Sequence, residues 1–335
     1  MAKKLRFGLW YDFRNPPQWK QDPTKLYGAI VDQCVRAEEL GWDDIWLSEH
    51  HFWKDGYTPS MLPLGCAIAA RTNRVEIGTS VLLVPMHDPV RVAEDAATLD
   101  VLSGGRLQLG LGVGYRVEEF TGFNIPRETR AGRMNEELEI LRRLFSGEQL
   151  TYEGKFYTYR DVSLQPLPVQ KNPKLWVGGF SEPAVRRAAR LGDAYIAIGP
   201  IGPFADLYRQ ELEKNGKDPQ KHEIAAGYMW LQVSRDPEAR WKEAEKHFTY
   251  QLNCYAKWFS DAGMQFFDPV SSREELEAQT CHIVTPEEAC QKIEDYAAET
   301  GISRFYGWAV PPGLPPSWAD EHVDLMAKEV IPNFR

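Results

Sequence analysis

The triplet Glu49-His50-His51 follows the apolar run Asp44-Ile45-Trp46-Leu47-Ser48, and no other strand end in the sequence gathers a cluster of titratable side chains. A histidine titrates near neutral pH and passes protons in either direction, which suits general acid–base work. Neighbouring residues on a strand point to opposite faces, so His50 and His51 should not converge on one ion. The spaced H-x-H and H-E-x-x-H ligand patterns of zinc sites do not occur. A metal hydrolase is therefore disfavoured and no metal site is expected. His50 is read as the catalytic group, and His51 as a ring hydrogen-bonded within the same wall.

Two glycine-rich strand exits add a second kind of chemistry. Gly110-Leu111-Gly112-Val113-Gly114-Tyr115 resembles a dinucleotide fingerprint but fails it, because Tyr115 and Val117 stand where G-x-G-x-x-G needs glycine. Its glycines still let a flat ligand approach the backbone. Gly178-Gly179-Phe180-Ser181 runs into a helix whose free N–H groups form an anion site, although Ser181 is equally a plain N-cap. Together the two exits suggest a phosphorylated planar cofactor. No G-K-[ST] loop and no G-x-S-x-G elbow is present, so nucleotide hydrolysis and that type of esterase are unsupported. Trp10, Phe52, Trp53, Trp230 and Trp308 near strand ends suit an apolar pocket.

These residues need strands that end side by side. Short apolar runs alternate with amphipathic stretches along the whole chain. Strands are expected at 7–11, 44–48, 75–84, 106–111, 175–177, 194–198, 224–233 and 304–308, each followed by a helix. Parallel strands need crossover helices, and eight units predict a closed (β/α)₈ barrel, with active groups at the C-terminal strand ends. Two segments break the rhythm. Residues 151–167 read as a small hairpin excursion, and 261–285, with Met264, Phe266 and Phe267, as a lid-like connection or pocket wall. No low-complexity linker divides residues 1–335, so one domain is expected.

Composition narrows the partners. The 335 residues carry 39 Lys+Arg against 48 Asp+Glu, a net charge of −9. That balance argues against a general nucleic-acid binder and against attraction to anionic lipid. No run of about 18 apolar residues exists to span a bilayer. Cys34, Cys66, Cys254, Cys281 and Cys290 are scattered and odd in number, which reads as reduced thiols and a cytoplasmic location.

Several ordered motifs resemble the bacterial luciferase-like flavin monooxygenases. They are Trp46-Leu47-Ser48-Glu49-His50-His51-Phe52, 73–79, 87–95, Leu99-Asp100, 103–106, Gly112-Val113-Gly114-Tyr115, Glu118-Glu119-Phe120 and the stretch from Trp176 onward. The resemblance covers most of residues 5–200 and weakens beyond. It implies a (β/α)₈ barrel with an insertion, usually dimeric, that binds FMN or a 5-deazaflavin at its mouth. It implies His50 as catalytic histidine, Thr79-Ser80-Val81 as the bulge behind the isoalloxazine ring, and Tyr115 beside the flavin as a second catalytic residue. It also implies Gly112, Gly114, Gly179, Phe180 and Ser181 around the cofactor, with the phosphate at Ser181. Val113 stands where many FMN-using members carry Arg, and Arg116 or Arg187 are the candidate substitutes.

The resulting expectation is a monooxygenase using reduced FMN and O₂ on a small apolar substrate. A separate reductase would supply the flavin, since no nicotinamide fingerprint occurs. The alternatives are a 5-deazaflavin-dependent hydride transferase, and a non-catalytic flavin-binding partner subunit. A homodimer is expected through the helices after the second and third strands, where Ala93, Ala96 and Ala97 allow close approach.

Overall fold

The computed structural model describes residues 4–335. Eight strands are labelled here in chain order: β1 (Arg6–Tyr11), β2 (Asp44–Leu47), β3 (Glu76–Thr79), β4 (Leu107–Gly112), β5 (Leu175–Gly178), β6 (Ala194–Ile196), β7 (Glu223–Ala226) and β8 (Arg304–Trp308). Each pairs in parallel with the next, β3 pairs with β4, and β8 returns to β1, so the sheet closes. This is the expected (β/α)₈ barrel. The helices are α1 (Pro23–Leu40), α2 (Met61–Ala69), α3 (Pro89–Ser103), α4 (Val117–Gly122), α5 (Arg130–Phe145), α6 (Glu182–Leu191), α7 (Gly202–Lys214), α8 (Pro237–Asp261), α9 (Arg273–Ala278), α10 (Pro286–Thr300) and α11 (Asp320–Leu325). Among the described residues no helix is long and apolar enough to cross a membrane.

Local chemistry sets the alternation. Asp22 and Asp88 accept backbone N–H groups at the starts of α1 and α3, and Thr285 with Glu288 forms a capping box on α10. β2, β4 and β5 are buried along their whole length, as parallel strands covered by helices should be. Trp46 fills the barrel interior because its neighbours on β1 and β3 are Gly8 and Gly78; a Cβ on Gly8 would stand 2.7 Å from the indole.

Charged residues close the N-terminal end of the barrel. Arg304 donates to Asp44 (2.9 Å) and Glu223 (2.7 Å) and pairs with Glu76 (2.5 Å), while Arg6 reaches Asp44 (2.8 Å) and Glu76 (3.0 Å). All five sit on the first residue of their strands.

Three expectations need correction. The third strand does not run from 75 to 84: it stops at Thr79, the Ser80–Val81 peptide is cis, and Leu82–Leu83 resumes as a separate two-residue strand on β4. The seventh does not run from 224 to 233. Gly227 passes against the Tyr306 carbonyl, and Trp230–Val233 leaves the barrel to pair with Cys281–Val284. That outer pair and α9 also fill much of 261–285, so the longest irregular stretch there is 262–272. The hairpin at 151–167 is found as Leu150–Glu153 against Thr158–Val162.

Candidate active site

The chain turns sharply after β2, and each residue of the triplet goes to a different place. His50 faces a cavity of about 210 Å³ at the C-terminal strand ends. Its Nδ1 lies 2.7 Å from Oε1 of Glu119 on α4. The same oxygen accepts the His51 amide (2.9 Å) and Arg116 Nη1 (3.1 Å). Burial raises the Glu119 carboxyl, but His50, Arg116 and that amide outweigh it and hold it below its ordinary range. An ionised carboxylate only accepts, so Nδ1 carries the proton and Nε2 is left to the cavity, 3.3 Å from the Tyr115 hydroxyl. Rings of Tyr57 (4.8 Å), Trp258 (4.9 Å) and Tyr115 (5.5 Å) enclose the imidazole.

The triplet's other members build a hub. Glu49 accepts from His51 Nε2 (2.6 Å), His87 Nε2 (2.7 Å) and the Leu83 amide (2.7 Å). Burial alone would raise its carboxyl, yet the two imidazoles bring it down to about 2. These three side chains could be imagined around a metal. Two ligands of a tetrahedral ion stand about 3.4 Å apart, given bonds near 2.1 Å. The observed separations are those of N–H groups donating to a shared oxygen, so the cluster is a hydrogen-bonded hub. It ties the segment after the cis peptide to the end of β2.

The rim opposite holds the anion donors. Ser181 is the N-cap of α6 but its hydroxyl caps nothing, and Pro183 leaves the amides before it free. Gly179 has φ +148, and a Cβ there would stand 2.5 Å from Ala184, so the loop can fold over the helix start only with glycine. Arg130, from the start of α5, lines the same cavity and, among the described residues, donates to the Arg127 carbonyl (2.9 Å). Among the described residues no carboxylate pairs with Arg130 or Arg187, and burial and neighbouring arginines lower both guanidinium pKa values. A cation so placed, beside helix amides and a free hydroxyl, fits a phosphate.

The profile of the luciferase-like monooxygenase family matches residues 5–304. This chain belongs to that family. A relative from Microbacterium testaceum, named F420-dependent glucose-6-phosphate dehydrogenase, is 38% identical over 189 residues, 55% of this chain and 55% of the relative. The chain thus spans about half the length of that relative. One of the same name from Kribbella flavida is 33% identical over 295 residues, 82% of this chain and 86% of the relative. The crystal structure of monooxygenase RslO1 from Streptomyces bottropensis shares the fold, with a TM-score of 0.85, 23% identity, and coverage of 99% and 100% of the two chains.

Within this luciferase-like frame, His50, Tyr115, Ser80, Val81, Gly112, Gly114, Gly179, Phe180 and Ser181 all line one cavity. Thr79 does not. Its hydroxyl donates to the Gly110 carbonyl (2.6 Å) and accepts the Gly110 amide (2.9 Å), so it joins β3 to β4 behind the wall. Arg116 does not replace the missing arginine at Val113; it is buried against Glu119, the His51 carbonyl (2.7 Å) and Trp258. Arg187 donates to Asn135 (2.8 Å) and sits behind the rim. Arg130 reaches the cavity instead. Sequence reasoning missed it, and it left Glu119 without a role. The one signal for Arg130 was the Arg127-x-x-Arg130-x-x-Arg133 spacing ahead of an amphipathic helix.

Proposed function

We propose that the protein is a monooxygenase that uses reduced FMN and O₂ on a small apolar organic molecule. The observation that carries this reading is one acid–base group, His50 Nε2, facing an aromatic-walled cavity whose rim holds a carboxylate-free arginine. Ser181, the α6 amides and Arg130 would hold the cofactor phosphate, with Ser80 and Val81 behind the ring. A reduced flavin there supplies the electrons. His50 moves a proton at the reacting oxygen, Glu119 fixes its tautomer, and the walls exclude water. The His50–Glu119 pair speaks against a non-catalytic subunit.

A second reading, 5-deazaflavin-dependent hydride transfer, is supported by the names of both relatives and by Val113. Their sugar phosphate is not carried over. The cavity hydroxyls of Ser48, Tyr57 and Tyr255, and of Ser80 and Tyr306, bond to one another, which leaves little for the many hydroxyls of a sugar, and the rest of the lining is largely apolar.

Anaerobic titration with reduced FMN and with reduced F420, read by protein fluorescence, separates the two. Binding of FMN followed by O₂-dependent turnover supports the first reading; binding of F420 alone overturns it. Arg130→Ala is expected to weaken FMN binding about 10- to 100-fold and to leave riboflavin unchanged, as loss of a charge-assisted bond predicts. Equal losses for both would remove Arg130 from the phosphate site.

A separate reductase and a cytoplasmic setting belong to this reading; all five cysteines are unpaired. So does a homodimer, through the helix after the second strand rather than through the small residues of α3. Ala93, Ala96 and Ala97 are fully buried within the chain. α2, however, has no polar side chain, and its positions Pro63, Leu64, Cys66 and Ala67 face outward. An all-apolar helix is normally covered on every side. Sedimentation at low micromolar concentration should give twice the chain mass, and a species of single-chain mass would end the dimer.

A further inference from the structure

A chain of three hydroxyls ends in the cavity, separate from the His50–Glu119 pair. Ser48 Oγ lies 2.8 Å from the Tyr57 hydroxyl, which lies 2.9 Å from the Tyr255 hydroxyl. At the other end Ser48 Oγ can donate weakly to the Tyr11 carbonyl, 3.5 Å away. All three side chains are buried and line the cavity. The Tyr57 ring is 4.8 Å and the Tyr255 ring 6.2 Å from that of His50, so chain and imidazole border the same space. Burial raises both phenol pKa values, and both keep their protons at neutral pH.

Counting protons shows what such a chain does. Three hydroxyls carry three protons, and the two bonds between them use two. The third leaves at one end. Either Ser48 donates to the Tyr11 carbonyl and Tyr255 is left as an acceptor, or all three rotate and Tyr255 donates into the cavity. No charge moves and no backbone shifts. The end of the chain therefore satisfies an oxygen that is a hydroxyl donor in one state and a carbonyl acceptor in the other.

We propose that Tyr255 binds the substrate oxygen, and that the substrate is an apolar ketone or aldehyde or the matching alcohol. The inference rests on the functional reading above for the reaction at His50, and it serves either cofactor. The apolar lining around Trp10, Trp308, Phe267 and Met229 takes the hydrocarbon part. Tyr57 and Ser48 touch the substrate oxygen only through Tyr255 and are positioning residues.

The test uses binding rather than turnover, in the full chain. Cyclooctanone, cyclooctanol and cyclooctane are titrated against tryptophan fluorescence, which Trp10 and Trp308 report from the wall. Tyr255→Phe is expected to weaken cyclooctanone and cyclooctanol about tenfold, the size of one lost hydrogen bond, and to leave cyclooctane unchanged. Infrared difference spectra supply a second measurement: the C=O stretch of bound cyclooctanone should lie at lower frequency in the unaltered chain and move back up in Tyr255→Phe. An unchanged ketone affinity, a parallel loss for cyclooctane, or a carbonyl band indifferent to the substitution would each overturn the proposal. None of these readouts needs a flavin. Failure of both flavin titrations would end the functional reading and leave the ketone contact standing.

Discussion

Replacing Glu119 by glutamine is expected to lower kcat by roughly 10²–10⁴-fold, the range of a lost or misdirected general acid–base group. The substitution keeps size and shape but removes the charge. The amide can turn its oxygen to the Nδ1–H of His50, in which case a positive imidazole loses its counter-charge. It can turn its nitrogen instead, which puts the proton on Nε2 and points the wrong tautomer at the cavity. His50→Ala should cost a similar factor, and the double variant little more than either alone, as residues acting as one unit do. Turnover of Glu119→Gln within about twofold of the unaltered chain would sink the assignment, since it falls far short of the expected range.

Arg304→Met is expected to have the largest effect on stability. Arg304 is 3% exposed and Asp44 1% exposed, and the one guanidinium meets three carboxylates from three strands. Methionine fills similar space but leaves Asp44 with Arg6 alone and Glu223 with Lys174 alone. Removing one partner of a buried ion pair costs about 3–5 kcal/mol. Urea unfolding should show that loss as a lower midpoint with an unchanged slope. Burial would raise the Glu223 carboxyl, but Arg304 and Lys174 bring it down to about 2. A depressed carboxylate stabilises the fold above its unfolded pKa of about 4.3 and loses that contribution as pH falls toward 2. Arg304→Met should therefore flatten the acid limb of the stability curve between those values. A midpoint shift worth less than about 1 kcal/mol would mean that Arg6 and Lys174 carry the network, because that is the value of an ordinary exposed pair.

What the sequence revealed depended on distance along the chain. All eight barrel strands were legible because each is a compact apolar run ahead of an amphipathic stretch, a pattern read within one short window. The triplet at 49–51 was legible because three titratable side chains follow one apolar run, although they lie on the turn beyond β2 and not on the strand. Thr79 was misplaced because the resemblance marks a segment, and only the turn at Ser80–Val81 decides which of its side chains face inward. The seventh strand was overextended because Trp230–Val233 is as apolar as a barrel strand, and its partner, Cys281–Val284, lies some fifty residues later. Glu119 was quoted within a motif but had no role until α4 brought it under His50. Tyr255 left no mark in the sequence, and Arg130 only its place in a spaced arginine series, for a stronger reason. Each sits on an ordinary amphipathic helix, and nothing but closure of the barrel brings it to residues far away in the chain.

The triplet also sets a limit on how this protein can diverge. Glu49, His50 and His51 are consecutive, yet one serves the His87 hub, one the cavity and one both the hub and Glu119. Inserting or deleting a single residue between Ser48 and Phe52 would exchange their directions and dismantle two networks together. Around most of the barrel mouth, loop length is a free variable that evolution or a designer can use to reshape the pocket. Between β2 and Phe52 it behaves like a reading frame.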